Sequence, residues 1–332
     1  MHDENSLTYD NFTDCYLGLA RLINDEYEFL CRPRGQLVKE KLAVKFTITN
    51  PLARIPYVRA RNFSIEYMIA ELLWYLSGND STEWISKYSS FWKKISDDGL
   101  TANSAYGARI FRPHPRVAGG DFIQWEYVKK ELSADPDSRR AVIHIRSPHD
   151  SENAVLDVPC TLSLQFFIRD AKLHLVANMR SSDLILGIAY DVPAFTLLQE
   201  LMAYELGVGL GTYTHVSNSL HVYERHFDML DKMTSQDEIS QAKMMHHSLG
   251  AMPPLPSPPP VETMMQVEKV LQDLSSYDTM NKLLDEFTHT EHGIHDYWLD
   301  WVKILACHRL KKLGMLEEKD DLRKSIWFLG YQ

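Results

Sequence analysis

The sequence lacks the cysteine spacing, the apolar runs and the positive charge that mark several classes of protein. Its four cysteines show no CxxC spacing, so the sequence indicates neither a zinc site nor a disulfide framework; they are Cys15, Cys31, Cys160 and Cys307. The opening stretch MHDENSLTYD is acidic and polar, which argues against a secretory signal, and no apolar run approaches the ~18 residues of a membrane span. We therefore expect a protein of the reducing cytoplasm, without a membrane partner.

Basic residues are also in the minority. The chain has 35 Lys and Arg against 45 Asp and Glu, for a formal net charge of −10. Broad binding of nucleic acid relies on a basic face, so we expect no nucleic-acid partner. An anionic substrate would require arginines concentrated at one place. The remaining composition, 45% hydrophobic and 24% charged over 332 residues, is typical of a globular protein with a sizeable core.

Periodic patterns predict both strands and helices in the first 220 residues. Alternating or short apolar runs predict strands over 42–49, 141–146, 160–168, 172–180 and 212–218, with a tight turn at 169–171. A helical stripe runs from Ser64 to Gly78. A second helix is predicted to open at Pro193 and to end at Gly207.

The C-terminal part has a different character. The stretch GAMPPLPSPPP (250–260) is the only low-complexity segment and predicts a loop. Beyond it, 264–288 and 294–313 are predicted to be helical. These helices form either a second small domain or an appendage on one core. We adopt a catalytic domain over 1–260 and a helical extension over 261–332, packed on the same core.

Cys160 is of interest because of its predicted neighbours. A lone cysteine that opens a strand is more often a small buried hydrophobe. Here Arg180 ends the adjacent predicted strand, and RSSD (180–183) places a cation, two hydroxyls and a carboxylate in one turn. A nearby arginine lowers the pKa of a thiol and raises the fraction of nucleophilic thiolate. The plain alternative for RSSD is a solvated turn.

Longer motifs surround these residues. The runs VPCTLSLQF, RSSDLILGIAYDVPAFTLLQELM and SNSLHVYERH resemble, in order and spacing, the central motifs of thymidylate synthases and of related phage nucleotide hydroxymethylases. AELLWYLSG (70–78), the Trp92-to-Tyr106 spacing, AYGARIF and DPDSRR (135–140) extend the resemblance to residues 15–260. It implies an α+β fold, a large mixed sheet flanked by helices, and a homodimer formed by sheet stacking.

The resemblance also implies a covalent mechanism on a pyrimidine nucleotide, with no metal. Cys160 would attack C6 of the base, and C5 would then accept the one-carbon unit of 5,10-methylenetetrahydrofolate. C5 is unreactive until an adduct at C6 breaks the conjugation of the ring. Glu71 would act as general acid and base, and Tyr106 would support removal of the C5 proton. The plain alternatives are an exposed helix carboxylate for Glu71 and a core tyrosine for Tyr106.

Arginines would bind the phosphate, because guanidinium groups suit a phosphate dianion through paired hydrogen bonds. The resemblance implies Arg180 with Ser181, and one arginine of CRPRGQL. We favour Arg34 over Arg32, because Gly35 follows it.

A second arginine pair, Arg139 and Arg140, would reach across the dimer into the partner's site. The alternative for this pair is a solvated turn. The remaining implied contacts are those of Gln165 with the nucleotide, of His221 and Tyr223 with the sugar, and of Trp92, Asp183, Leu186 and Gly187 with the folate.

One departure from a thymidylate synthase concerns the base. Those enzymes carry asparagine at the position of Asp191, where its amide donates to O4 and accepts from N3–H of uracil. Cytosine has an amino donor at C4 and an unprotonated N3, so a carboxylate can accept from the amino group and share a proton at N3. Related dCMP hydroxymethylases have aspartate here, which makes Asp191 a candidate catalytic and cytosine-selecting residue. The alternative is a helix cap ahead of Pro193.

Two further departures lie elsewhere. The chain continues to SIWFLGYQ instead of ending in the short apolar tail that closes over folate in synthases. A site that admits water favours capture of the exocyclic methylene by water over capture by hydride. Thr161 stands where synthases usually have histidine, in the same network beside the base.

We therefore expect folate-dependent 5-hydroxymethylation of a cytosine nucleotide, with dCMP as first choice and CMP as second. One alternative is a C5-methylating synthase that acts on dUMP or dCMP. Another is a catalytically idle relative that binds a nucleotide or a partner protein.

Overall fold

The computed structural model describes residues 7–115, 119–151, 156–289 and 295–326. The strands in these ranges are β1 Leu7–Tyr9, β2 Phe29–Cys31, β3 Val38–Ile48, β4 Pro113–Pro115, β5 Asp121–Ile123, β6 Val142–His144, β7 Thr161–Arg169, β8 Lys172–Met179, β9 Ser182–Asp183 and β10 Gly209–Tyr223. The α-helices are α1 Phe12–Asp25, α2 Ile65–Leu76, α3 Thr82–Ile85, α4 Phe91–Ile95, α5 Tyr106–Phe111, α6 Gln124–Ala134, α7 Ala189–Leu206, α8 Phe227–Met233, α9 Gln236–Leu249, α10 Val261–Asp273, α11 Tyr277–His289, α12 Asp296–Leu313 and α13 Leu316–Lys324.

One large mixed sheet dominates the fold. Its order is β1-β3-β10-β8-β7-β6, with β2 paired to β3 and β9 paired to β10. The central strand β10 runs parallel to β8 and antiparallel to β3. All five predicted strands are confirmed, and β10 is longer than predicted. The α+β prediction is likewise confirmed.

The β7–β8 hairpin brings the start of β7 next to the end of β8. Its turn residues Asp170 and Ala171 have φ of 50° and 55°, the left-handed pair that suits a two-residue hairpin turn. At the opposite end the register pairs Thr161 with Met179. Cys160, just before β7, and Arg180, just after β8, therefore lie side by side.

Helices cover the sheet in layers. α1 packs on β3, and α7 packs on β8 and β10, with α2 outside α7 and α12 outside α2. The core between the helices and the sheet includes Phe46, Phe166, Leu175 and Tyr213, none of which has more than 1% of its surface exposed. α2 thus lies between the sheet layer and the C-terminal helices.

Two predicted helix boundaries are wrong. Pro193 lies inside α7 and does not open it. The helical path begins earlier, with a wide turn over Leu184–Ile188 that Asp183 caps by accepting hydrogen bonds from two backbone N–H groups. The predicted helix over 264–288 divides into α10 and α11, since Leu274 is extended and Ser275 and Ser276 favour a helix start over an interior.

The stretch Leu184–Leu206 also corrects the expectation about apolar runs. By length and composition alone it could cross a membrane, with a mean hydropathy of 1.3. However, 78% of the 18-residue window with that hydropathy is buried within the protein, as in a core helix. Within the residues described, no other helix has this length and composition.

The C-terminal helices pack on the rest of the protein through α12 and α10. Trp298 and Trp301 on this helix are at most 1% exposed, and the Trp298 indole donates to the Ser257 hydroxyl at 3.1 Å. The prolines of 250–260 lie in a loop, as predicted. The division into a domain over 1–260 and an extension over 261–332 stays a prediction.

Candidate active site

The Cys160 thiol lies beside the Arg180 guanidinium. Nη2 of Arg180 is 3.6 Å from Sγ of Cys160, and the backbone N–H of Arg180 donates to the Cys160 carbonyl at 2.9 Å. The same guanidinium donates to the carbonyls of Val158 and Pro159, both at 2.8 Å. The arginine therefore holds the backbone that leads to the thiol as well as the thiol itself.

Two effects on the thiol oppose each other. Burial raises the pKa of Cys160, whereas the charge of Arg180 lowers it, as expected. Burial is the larger effect, and nearby carboxylates, first Asp191, raise the pKa further. The net shift is upward, so the thiol is mostly protonated at neutral pH until a bound ligand or a proton acceptor changes its surroundings.

A buried polar network fixes the loop before Cys160. The Asp157 carboxylate accepts from the Ser104 N–H at 2.8 Å, and the Asp157 carbonyl accepts from the Asn103 amide at 2.9 Å. Arg109 in turn forms an ion pair with Asp150 at 2.6 Å. The sequence gives no sign of this network, because no local pattern connects positions about fifty residues apart.

Glu71 is a buried carboxyl on α2, so the alternative of an exposed helix carboxylate is excluded. It is 6% exposed. The Tyr67 hydroxyl, one turn earlier, donates to Glu71 Oε1 at 2.7 Å, and the Trp92 indole donates to that hydroxyl at 3.0 Å. Burial raises the pKa of Glu71 to about 8, and the nearby Asp191 also raises it. A carboxyl with such a pKa can carry a proton at neutral pH and give it up again.

Asp191 is the third residue of α7. Burial raises its pKa to about 7, with a further contribution from Asp183. Oδ2 of Asp191 lies 3.1 Å from the place where a side chain on Gly187 would begin, so glycine keeps that side open. Asp191 does not cap α7, because the helical path already begins at Leu184 and its cap is Asp183.

The two carboxylate oxygens of Asp183 differ in their hydrogen bonding. Its Oδ1 accepts from the N–H groups of Ile185 and Leu186, at 2.8 and 3.0 Å. Its Oδ2 is buried and has no hydrogen-bond partner. Buried carboxylate oxygens are normally paired, so this oxygen fits a donor on a bound molecule. Leu186, beside it, is 45% exposed.

Tyr106 lies at the start of α5 and is 7% exposed. Its hydroxyl accepts from the N–H of Thr161 at 3.3 Å, which places it next to the peptide of Cys160. The Thr161 hydroxyl donates to the sulfur of Met179 at 3.1 Å. Tyr106 is thus packed like a core residue, with its polar end at the nucleophile.

A cavity of about 360 Å³ opens beside this group. It brings together most of the predicted phosphate and sugar residues, and its lining includes Arg34, Arg180, Ser181, His221 and Tyr223. The cavity lining does not include Arg32.

Two features of this cavity could not be read from the sequence. Nδ1 of His221 is 3.3 Å from the Ser219 carbonyl, so Nδ1 donates there and Nε2 is left for a ligand. Arg146 also lines the cavity, and its guanidinium donates to the Ser151 hydroxyl at 2.8 Å. Arg146 was not predicted, because the run 141–146 that it ends indicates only a strand.

Three predicted residues lie apart from the cavity. Arg139 and Arg140 are exposed, and the Gln165 amide donates to the Arg139 carbonyl at 3.0 Å. None of the three lines the cavity. The lining also omits Cys160 and Asp191, so the cavity holds only the phosphate and sugar side of the predicted site. Among the residues described, no cluster of His, Cys, Asp and Glu is arranged to hold a metal ion.

Comparison with known proteins identifies the family. A model of the thymidylate synthase family matches residues 32–250. The deoxyuridylate hydroxymethyltransferase of Bacillus phage SP01 is 34% identical over 219 residues, which cover 64% of this chain and 57% of that protein. Thymidylate synthase of Bacillus mojavensis and thymidylate synthase 1 of Bacillus spizizenii are each 27% identical over 194 residues, covering 58% of this chain and 69% of theirs. The chain belongs to the thymidylate synthase family.

Proposed function

We propose that the protein is a 5-hydroxymethyltransferase of cytosine nucleotides that uses 5,10-methylenetetrahydrofolate, with dCMP as the first choice of substrate and CMP as the second. The observation that carries the choice of base is Asp191, a fully buried carboxyl whose pKa burial raises to about 7 and whose charge acts on the Cys160 thiol. The relative named a hydroxymethyltransferase supports the type of transfer.

The nucleotide would enter the cavity with its phosphate toward the arginines. Arg34 and Arg180 supply two guanidinium groups, Ser181 supplies a hydroxyl, and Arg146 lines the same space. The chain has a net charge of −10, which repels an anionic substrate. These cations, concentrated in one cavity, attract the phosphate locally. Nε2 of His221 is free to bind a sugar hydroxyl, with Tyr223 beside it.

The reaction would begin with addition of Cys160 Sγ to C6 of the base. As that bond forms, electron density moves onto N3 of cytosine, and a protonated Asp191 can supply the proton that N3 then holds. Once C6 is saturated, C5 is nucleophilic and forms its bond to the one-carbon unit. Glu71 and Tyr106 would take up the proton that leaves C5, the first directly or through water. Loss of that proton would break the bond between the one-carbon unit and the folate nitrogen, so that tetrahydrofolate leaves and an exocyclic methylene remains on C5.

The folate co-substrate supplies a one-carbon unit at the oxidation level of formaldehyde. The unpaired Oδ2 of Asp183 fits an N–H donor of its ring. Trp92, Leu186 and Gly187 would form the surrounding surface. Addition of water to the exocyclic methylene would then expel the Cys160 thiolate, which restores the C5–C6 double bond and gives the 5-hydroxymethyl nucleotide without any oxidant or reductant. The tail SIWFLGYQ, on which the argument from water access depends, lies outside the described residues from 327 onward.

A homodimer would complete the site. Arg139 and Arg140 are exposed and do not line the cavity of their own chain. Their guanidinium groups are therefore available to bind a phosphate in the partner's site. One face of β7, β8 and β10 carries partly exposed residues, among them Gln165, Val176 and Val216, and would form the stacked surface.

A second candidate is hydroxymethylation of dUMP, because the relative from phage SP01 is named for deoxyuridylate. Ionised Asp191 counts against it, since a carboxylate facing O4 of uracil sets acceptor against acceptor, so uracil is expected to fit only while Asp191 carries its proton. A methylating synthase and an idle nucleotide-binding protein complete the set of alternatives.

One experiment separates these functions. The protein is incubated with methylenetetrahydrofolate and, in parallel, dCMP, CMP or dUMP, and the nucleotide products are identified by mass spectrometry. We expect a hydroxymethyl product from dCMP. A hydroxymethyl product from dUMP alone supports the second candidate, a methyl product supports a synthase, and no product with any nucleotide contradicts the proposal.

A further inference from the structure

Glu268 on α10 joins the C-terminal helices to the segment around α3. Its carboxylate is fully buried. Oε2 accepts from the Trp84 indole at 2.8 Å, and Oε1 accepts from the Tyr88 hydroxyl at 2.7 Å and from the Gln272 amide at 2.8 Å. The ammonium of Lys87 is 3.6 Å away. Such a carboxylate is satisfied on all sides, and its donors come from residues 84–88 as well as from its own helix.

α12 holds the same segment from another direction. The carbonyl of Lys87 accepts hydrogen bonds from Nε2 of His308 and from the ammonium of Lys312, at 3.1 and 2.5 Å. The rings of Tyr88 and His308 lie 4.5 Å apart. The short turn between α3 and α4 is thus fixed by two helices that follow the family-matched region, which ends at residue 250.

This turn leads directly into the candidate active site. α4 begins at Phe91, and the next residue, Trp92, donates to Tyr67, which donates to Glu71. A path of direct contacts therefore runs from Glu268 through the α3–α4 turn to the acid–base group. α12 also packs on α2, which carries Tyr67 and Glu71.

We propose that Glu268 is a positioning residue that holds the α3–α4 segment so that Trp92 is correctly placed for the folate and for Tyr67. The role toward folate rests on the proposed function. The holding of the segment does not, because it concerns only contacts within the chain. Neither Glu268 nor its donors would touch a substrate; they act through Trp92.

The test compares Glu268→Gln with Glu262→Gln, an exposed position on the same helix. In Glu268→Gln, the amide NH₂ group faces side chains that themselves donate hydrogen bonds, so at least one of these hydrogen bonds is lost. We expect faster hydrogen–deuterium exchange in residues 82–95 and a KM for methylenetetrahydrofolate about tenfold higher, the scale of coupling through packed networks. The affinity for nucleotide alone, measured by calorimetry, should stay within about twofold, and Glu262→Gln should behave as the unmodified protein in every measurement.

A milder variant guards against general unfolding. Tyr88→Phe removes one hydroxyl from the cluster and keeps the ring, so we expect the same changes at about a third of the size. Hydrogen exchange needs no turnover and therefore tests the holding of the segment even if the proposed reaction is wrong. Unchanged exchange in 82–95 in both variants overturns the proposal, as does an equal weakening of nucleotide and folate binding.

Discussion

Buried carboxyl groups occur both in the C-terminal helices and beside Cys160, but their surroundings differ. Glu268 receives hydrogen bonds from three side chains, and Asp300, which is 2% exposed, forms an ion pair with Lys303 at 3.0 Å. In the candidate site, Glu71 has one side-chain donor, and the pKa values of Glu71 and Asp191 are raised by burial to about 8 and about 7.

Pairing explains the difference better than position along the chain. Glu200 lies on α7, the helix that also carries Asp191, yet it is paired with Arg54 at 2.5 Å and accepts from the Leu255 N–H at 2.7 Å. A buried carboxylate without enough donors takes up a proton near neutral pH. Groups in that state are suited to proton transfer and cluster at functional sites, whereas paired ones connect parts of the fold.

The largest effect is expected at the nucleophile. Cys160→Ser should lower kcat by at least about a thousandfold, because only the thiolate forms the adduct at C6. Nucleotide affinity should largely survive, since the arginines of the cavity provide most of the attraction. Steady-state kinetics and calorimetry measure the two quantities. Turnover within tenfold of the unmodified protein contradicts the assignment of Cys160.

The second effect concerns the base. Asp191→Asn should shift the cytosine-to-uracil ratio of kcat/KM toward uracil by about two to four decades. An amide removes the clash with O4 but cannot give N3 a proton, and each of these changes is worth roughly 1–3 kcal/mol. Activity on dCMP should also fall as pH rises through about 7, where Asp191 loses its proton, and the variant should lack this alkaline fall.

Kinetics with dCMP and dUMP between pH 6 and 9 test this prediction. Val192→Ala, one residue away and in the core, is a matched control that should alter stability without altering the ratio. An unchanged ratio in Asp191→Asn would leave the aspartate without a role in base choice and reopen dUMP as the natural substrate.

The third effect tests the exposed arginines. Arg140→Ala and Cys160→Ala should each be inactive, and a mixture of the two should regain about a quarter of the normal activity. Half of the dimers formed at random are mixed, and each mixed dimer has one site with an intact cysteine and an intact partner arginine. Subunit exchange is verified by a size tag on one chain. An inactive mixture with demonstrated exchange argues against a shared site.

Much of the fold could be predicted from the sequence, because strands show an alternating pattern of apolar residues and the motif around Cys160 is long. The meeting of Cys160 and Arg180 follows from the register of one hairpin, which a short turn fixes. The prediction that Pro193 opens the helix was wrong, because the helical path is capped by Asp183, ten residues earlier. No local sequence rule links the two positions.

The parts of the site that escaped prediction depend on contacts distant in sequence. Tyr67 lies one turn before Glu71, but its link to Trp92 spans 25 residues. Arg146 enters the cavity only because β6 lies at the edge of the sheet beside β7. Glu268 reads as one charge on an amphipathic helix, and its partners at 84–88 lie some 180 residues away. Periodicity reports which face of an element is buried, and it carries no information on what that face meets.

The smallest effect sharpens the contrast between paired and unpaired carboxyl groups. At pH 8.5 Glu71→Gln should raise the free energy of unfolding and Glu268→Gln should lower it.

The pKa of Glu71 is higher in the folded protein, about 8 against an ordinary 4.5. The folded state therefore binds the proton more tightly, and the protein loses stability as pH rises from 4.5 through 8. Glutamine removes that loss, which is at most about 5 kcal/mol, and its carbonyl can still accept from Tyr67. At Glu268 the amide leaves buried donors unpaired, which costs about 1–3 kcal/mol. Urea unfolding at pH 8.5 and 5.5 measures both, and at pH 5.5 the gain from Glu71→Gln should shrink to about 1.4 kcal/mol, because the folded carboxyl keeps its proton there and only the unfolded one is ionised. Changes of the same sign at pH 8.5 would show that pairing does not separate the two groups.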